Sequence, residues 1–142
     1  MRLEEQITAA WKGLLAGNIT VDGYTLPVYR SDAEISTRSH FIMLRKESGA
    51  PDWNKNAFFG TFVLIVEIVT KFPVIINDKL VDDIDEILRA LVINTPASNN
   101  LNVTGVTKVN AGSYTYLPED NNSGRIYRKL IRFVHQVASE TA

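Results

Sequence analysis

Residues 58–70 read FFGTFVLIVEIVT, an almost unbroken run of β-branched and aromatic side chains with one charge, Glu67. Thirteen residues of this composition predict a central strand covered on both faces, because a strand exposed on one side would alternate apolar with polar. Alternation places Phe58, Phe62, Leu64, Val66 and Ile68 on one face and Phe59, Val63, Ile65, Glu67 and Val69 on the other. The first face is wholly apolar and is expected to receive helices. The second carries a carboxylate among apolar residues and needs a different cover.

Working outward, Pro73 ends the strand, and Asn77 or Asp78 can N-cap a helix whose stripe is Leu80, Val81, Ile84, Ile87, Leu88, Leu91 and Val92. NTPASNN, residues 94–100, reads as a connection. Residues 102–117 alternate and then bend at Ala111-Gly112, as two short strands or one kinked strand, and PEDNNSG, residues 118–124, reads as a polar turn. RIYRKLIRFVHQV, residues 125–137, fits both periods: Ile126, Leu130, Val134 and Val137 suit a helix, while Tyr127, Ile131 and Phe133 suit a strand. On the N-terminal side, His40–Leu44 is a short strand followed by the loop SGAPDWNKN, residues 48–56. Leu3, Ile7, Ala10, Trp11, Leu14 and Leu15 form the apolar face of an opening helix stopped by Gly17. Asp22-Gly23 joins Ile19–Val21 to Tyr24–Leu26 as a hairpin, and Pro27 places this segment at a sheet edge or ends it there. The order predicts an α+β fold: a mixed sheet with both helices packed on one face, in a single domain spanning residues 1–142.

The 142 residues carry 15 basic and 16 acidic side chains, a net charge of -1, which gives no long-range field for nucleic acid or an anionic membrane. With no cysteine there is no disulfide, thiolate nucleophile or Cys-ligated metal. The N-terminus lacks the basic and uninterrupted apolar segments of a signal peptide, and the apolar run Thr61–Val69 is about half the ~20 residues of a membrane span. A soluble protein is expected.

Chemistry is sparse. His40 and His135 belong to no metal-binding spacing, and Ser39 beside His40 points to the opposite face of a strand, so both histidines are expected to be partly exposed and structural. Asp82, Asp83, Asp85 and Glu86 could bind a divalent cation, but interleaved with the apolar stripe near a helix N-terminus they read as a solvated face. No phosphate cradle or nucleophile elbow occurs. Arg125, Arg128, Lys129 and Arg132, with Tyr127 and Phe133 between them, could contact phosphates and bases; the balanced total charge favours ion pairing across an interface. No catalytic, cofactor or metal residue is assigned.

This arrangement resembles the tail-completion and tail-terminator proteins of long-tailed bacteriophages. The likeness is carried by EEQITAAWKGLLAG (4–17), VYR (28–30), FFGTFVLIVEIVT (58–70), LVDDIDEILRAL (80–91) and YRKLIRF (127–133), and covers most of the chain. The resemblance implies a non-enzymatic virion subunit that forms a homo-oligomeric ring, of six- or twelve-fold symmetry, at the head-to-tail junction. Its implied partners are copies of itself, connector, portal or tail-tube proteins, and genomic DNA passing through the lumen without sequence-specific binding; no cofactor and no membrane is implied. It places the protein in the virion tail or neck after synthesis in the host bacterial cytoplasm, and makes YRKLIRF a strand. The Trp53 loop departs from the family pattern. A stand-alone α+β module binding a small ligand or nucleic acid is the competing reading.

Two features point to an interface. Trp53 sits in a polar loop without an evident internal partner, as interface aromatics do, although such rings also fold back on their own domain. The face bearing Phe59, Val63, Ile65, Glu67 and Val69 is expected to be covered by another subunit, with Glu67 paired to Arg128 or Arg132.

Overall fold

The computed structural model describes residues 3–21, 23–30, 40–47, 52–53, 59–72, 78–95, 98–121 and 124–138. Helix α1 spans Leu3–Leu15, with Glu4 and Glu5 in its first turn and Lys12 in its last, as the helix dipole favours. Ile7, Trp11 and Leu15 lie on one stripe and are fully buried. Gly17 follows the helix at φ 78°, the left-handed position where a side chain would be strained. Strands β1 (Thr20–Val21) and β2 (Tyr24–Thr25) form the expected hairpin, extended by a hydrogen bond from Leu26 N to Ile19 O at 2.9 Å.

The main sheet contains β3 (Val28–Arg30), β4 (Phe41–Lys46), β5 (Asp52–Trp53), β6 (Phe59–Phe72), β9 (Val106–Asn121) and β10 (Gly124–Ala138). Its order is β3-β4-β6-β10-β9, with β5 also pairing β6; β3 and β4 run parallel and every other pair is antiparallel. The α+β class and mainly antiparallel mixed sheet therefore stand, and β6 is central as its composition predicted.

Helix α2 (Asp78–Val92) packs over β6 and β10, while α1 packs over β3 and β4 and touches α2. One core fills the space between this helix layer and the sheet. Into it β6 sends Phe62, Leu64, Val66 and Ile68, α2 sends Val81, Ile84, Leu88 and Val92, and β10 sends Ile131, Phe133 and Val137. Each fully buried Leu or Ile adds about 1.5–3 kcal/mol of gross stabilisation, so α2 is held by its stripe more than by its own propensity.

Three expectations are revised and two open readings are resolved. The connection at residues 94–100 contains a small hairpin, β7 (Ile93–Thr95) with β8 (Ser98–Asn99), and Asn100 caps α2 by donating from N to Val92 O and from Nδ2 to Leu91 O. Asn102 is in the left-handed region at φ 55°, so the following strand starts at Val106. Residues 106–121 are one strand: Gly112 and Ser113 together oppose Arg132, a β-bulge at the anticipated bend. The turn after it is shorter than expected, because Pro118–Asn121 stay paired to β10, and Pro118 is tolerated because β9 is the last strand of the described sheet. Residues 125–137 belong to strand β10 and not to a helix.

Candidate interaction surface

With both helices on one side, the opposite, outer face of the sheet is set by register. β4, β6 and β10 align Phe41, Val69 and Arg128 in one row, Met43, Glu67 and Leu130 in the next, and Arg45, Ile65 and Arg132 in a third. Phe41, Met43, Val69 and Ile126 form a second, small buried cluster with Tyr29 against it. Val69 is thus covered by its own chain, whereas Val63 and Ile65 are half-buried.

Glu67 is itself buried, and its carboxylate is neutralised within the chain: Arg45 Nη2 lies 2.5 Å from Oε2 and Arg128 Nη1 3.5 Å from Oε1. The expected pairing with Arg128 is present. Arg132 instead reaches Glu47, donating from Nε at 2.8 Å with Nη2 at 2.7 Å. Arg45 had no sequence signal as a partner, since its closeness to Glu67 exists only through the β4–β6 register. Because Glu67 is satisfied in the subunit, no neighbouring copy is needed to neutralise it. Trp53 pairs with Gly60, and Phe59 with Ala138, through the backbone; their side chains lie outside the described residues.

The basic group of residues 125–132 is not one patch. Alternation sends Arg128 and Arg132 to the outer face and Lys129 inward, and Phe133 is fully buried, so it offers no ring for base stacking. The side chain of Arg125 lies outside the described residues. Lys129 is 5% exposed and donates from Nζ to Asp85 Oδ2 at 2.8 Å and Asp82 Oδ1 at 2.9 Å, lying over the rings of Tyr114 and Tyr116. Tyr116 OH also donates to Asp82 Oδ1, at 2.8 Å, and Arg89 Nε to Asp85 Oδ1, at 2.6 Å. Burial pulls the Lys129 pKa down, but the hydrogen bonds to Asp85, Asp82 and Tyr116 outweigh it and hold the ammonium above its ordinary value. Asp82 is held below the usual carboxylate range, chiefly by the hydrogen bond from Lys129.

This overturns the solvated-face reading for Asp85, which is buried; Asp82 is exposed as expected and joins it in clamping α2 to the sheet through Lys129. Asp83 and Glu86 keep the solvent-side placement, half-exposed and exposed respectively. No group of three or more metal-ligating side chains is found among the described residues.

His135 is also not as expected. It is wholly buried, accepts from Trp11 Nε1 at Nε2 over 2.7 Å, and has Nδ1 3.0 Å from Phe62 O. Those partners require the neutral tautomer with the proton on Nδ1, and burial lowers its pKa to about 4. Both ring nitrogens are occupied, which leaves none for base catalysis or a metal. His40 is half-exposed and accepts from Lys71 N at Nδ1 over 3.0 Å.

No protein-family profile and no curated protein matches the chain. Among solved structures, a chain of one described as "Virion of native gene transfer agent (GTA) particle" superposes with a TM-score of 0.57 at 10% identity, covering 96% of this chain and 92% of that one. The shared property is the fold. It extends over nearly the full length of both chains.

Proposed function

We propose that this chain is a structural, non-catalytic virion subunit of a tailed bacteriophage or phage-like particle, working as a ring at the head-to-tail junction in the manner of tail-terminator and tail-completion proteins. The observation that carries the reading is the end-to-end fold likeness to a chain of a gene transfer agent virion, which agrees with the family resemblance in its sequence segments. The absence of a catalytic role is supported by the polar groups themselves. His135 has both nitrogens engaged and Lys129 is held as a charged structural ammonium, so neither is available as a base or nucleophile. In this reading the subunit meets copies of itself and the adjoining connector, portal or tail-tube proteins, and DNA passes through the lumen without being read.

The half-buried outer face with Val63, Ile65, Arg45, Arg128 and Arg132, together with the Trp53–Phe59 side of the sheet, is the surface assigned to subunit contact. The experiment is deletion of the gene from a particle-producing strain and complementation in trans. Separate heads and tails that are joined only when the chain is resupplied would support the role. Complete, infectious or transfer-competent particles in the deletion strain would refute it.

A further inference from the structure

Trp11 reaches from α1 onto the inner face of β10, where it and His135 are both wholly buried. Its ring packs on Phe133, with 4.7 Å between centroids, while Nε1 donates to His135 Nε2. Since the Nδ1 proton is directed at Phe62 O, the one position left for a second proton is the one Trp11 occupies. Protonation turns that acceptor into a donor and sets two N–H groups against each other in a buried site. Among the described residues, no neighbouring charge compensates. Glu4, Glu5 and Lys12 of α1 make no ion pair, and Arg89 of α2 lies over the Phe133 ring but is bonded to Asp85. On β6, Glu67 belongs to the outer face; on β9, Val109 stands opposite His135 and Lys108 is in the outer row. Lys129, further along the inner row of β10, is held by Asp82 and Asp85. Asp52 of β5 pairs with Thr61 through the backbone, and its side chain lies outside the described residues. An imidazolium here is hydrated only if something over the sheet moves.

How each element is tied decides which one moves. β10 is hydrogen-bonded along both sides, to β6 and β9. α2 is fixed to β10 through Lys129, and its C-terminal end is capped by Asn100. α1 lies outside the strand ladder, and rests on its stripe of Ile7, Trp11 and Leu15, the Trp11 bond and a polar interaction of Gln6. We propose that α1 is a proton-released latch: protonation of His135 lifts Trp11, and with it α1, off the sheet as a unit, while α2 and the β4-β6-β10-β9 sheet stay together. Such a weakly tied element is the kind that opens below the global unfolding free energy. Buried, the imidazole is kept neutral and its pKa falls to about 4; released into water it returns towards 6.5. Lifting α1 therefore takes up a proton, and becomes easier as pH falls through that window. The inner face around Phe62 and Phe133 is closed at neutral pH and opens in acid. The latch operates within one subunit and does not depend on ring assembly.

Amide hydrogen exchange of the full chain at pH 7, 6 and 5, in urea below the unfolding transition and corrected for intrinsic rates, tests the latch. Amides of α1 should exchange through an opening that urea barely affects, because little surface is exposed, while those of β6 and β10 exchange through urea-dependent global unfolding. Protection of α1 should fall about twentyfold from pH 7 to pH 5, the change expected for uptake of one proton with these pKa values. In His135→Gln, whose carboxamide oxygen can accept from Trp11 without titrating, α1 protection should be flat over that range. If the parent's α1 amides share the protection and urea dependence of β10, the helix leaves only when the whole domain unfolds. If their protection is constant with pH, His135 does not gate them. Either result in the parent overturns the proposal without any variant, and so does a folded His135→Gln chain whose α1 protection still falls twentyfold.

Discussion

Trp11 and His135, 124 positions apart, meet in the core through a 2.7 Å hydrogen bond from the indole nitrogen to Nε2. The bond ties the N-terminal helix to the last strand, and Phe62 O fixes the other side of the imidazole. Protonation would put a second donor against the indole N–H.

The consequence is a pH dependence of stability. The folded pKa of about 4 lies below the ordinary 6.5, so the unfolded chain binds the extra proton first. Stability from this site is complete above pH 6.5 and falls as pH drops towards 4, by about 3 kcal/mol in total on the linkage relation. Urea melts at pH 7, 6, 5 and 4 should show that loss in the parent, and His135→Phe should flatten it while costing stability at pH 7, because the indole N–H loses its acceptor. A parent whose midpoint is constant across this range would show that His135 is not buried neutral.

The clamp around Lys129 predicts strong coupling. Lys129→Met should cost about 3–5 kcal/mol, because Asp85 stays buried with only Arg89 to neutralise it. Adding Asp85→Leu should recover part of that loss. A double-mutant cycle with additive losses would mean that the two side chains do not interact in solution.

Ile84 is fully buried at the centre of the α2 stripe, so Ile84→Asp should leave no folded protein at room temperature, visible as loss of the cooperative melt. Asp83→Ala, one residue earlier on the solvent side, should stay within about 0.5 kcal/mol of the parent. Opposite ranking of the two would place the wrong face of α2 against the sheet.

Because Glu67 is satisfied inside the subunit, Glu67→Ala should destabilise the isolated chain, leaving Arg45 and Arg128 without their shared carboxylate. Arg45→Ala should also cost stability, because the buried Glu67 then loses its nearer guanidinium and keeps Arg128 at 3.5 Å. Equal denaturation midpoints for Glu67→Ala and the parent would return Glu67 to the intersubunit role expected from the sequence.

The elements that the sequence made legible are those whose pattern is local. β6 and α2 carry a continuous β-branched run and a clean helical stripe, and their cores follow directly. β10 was ambiguous because its inward row, Tyr127, Lys129, Ile131, Phe133, His135 and Val137, includes two polar residues whose partners, Asp82, Asp85 and Trp11, lie on other elements. Without those partners Lys129 and His135 look like surface residues, and the alternation is lost. The same holds at the candidate surface: Glu67 was evident as a buried charge needing an arginine, but Arg45 becomes its neighbour only once β4 is set antiparallel to β6 in the observed register. Sequence spacing sees along a strand, and these partners are across strands.

The most direct measurement of the central proposal is cryo-electron microscopy of purified particles from a strain that encodes this chain. The ring role predicts density between head and tail, or at the tail end, into which the α+β subunit fits in several symmetry-related copies around the axis. A junction fully accounted for by other proteins, with this chain absent from the particles by mass spectrometry, would contradict it.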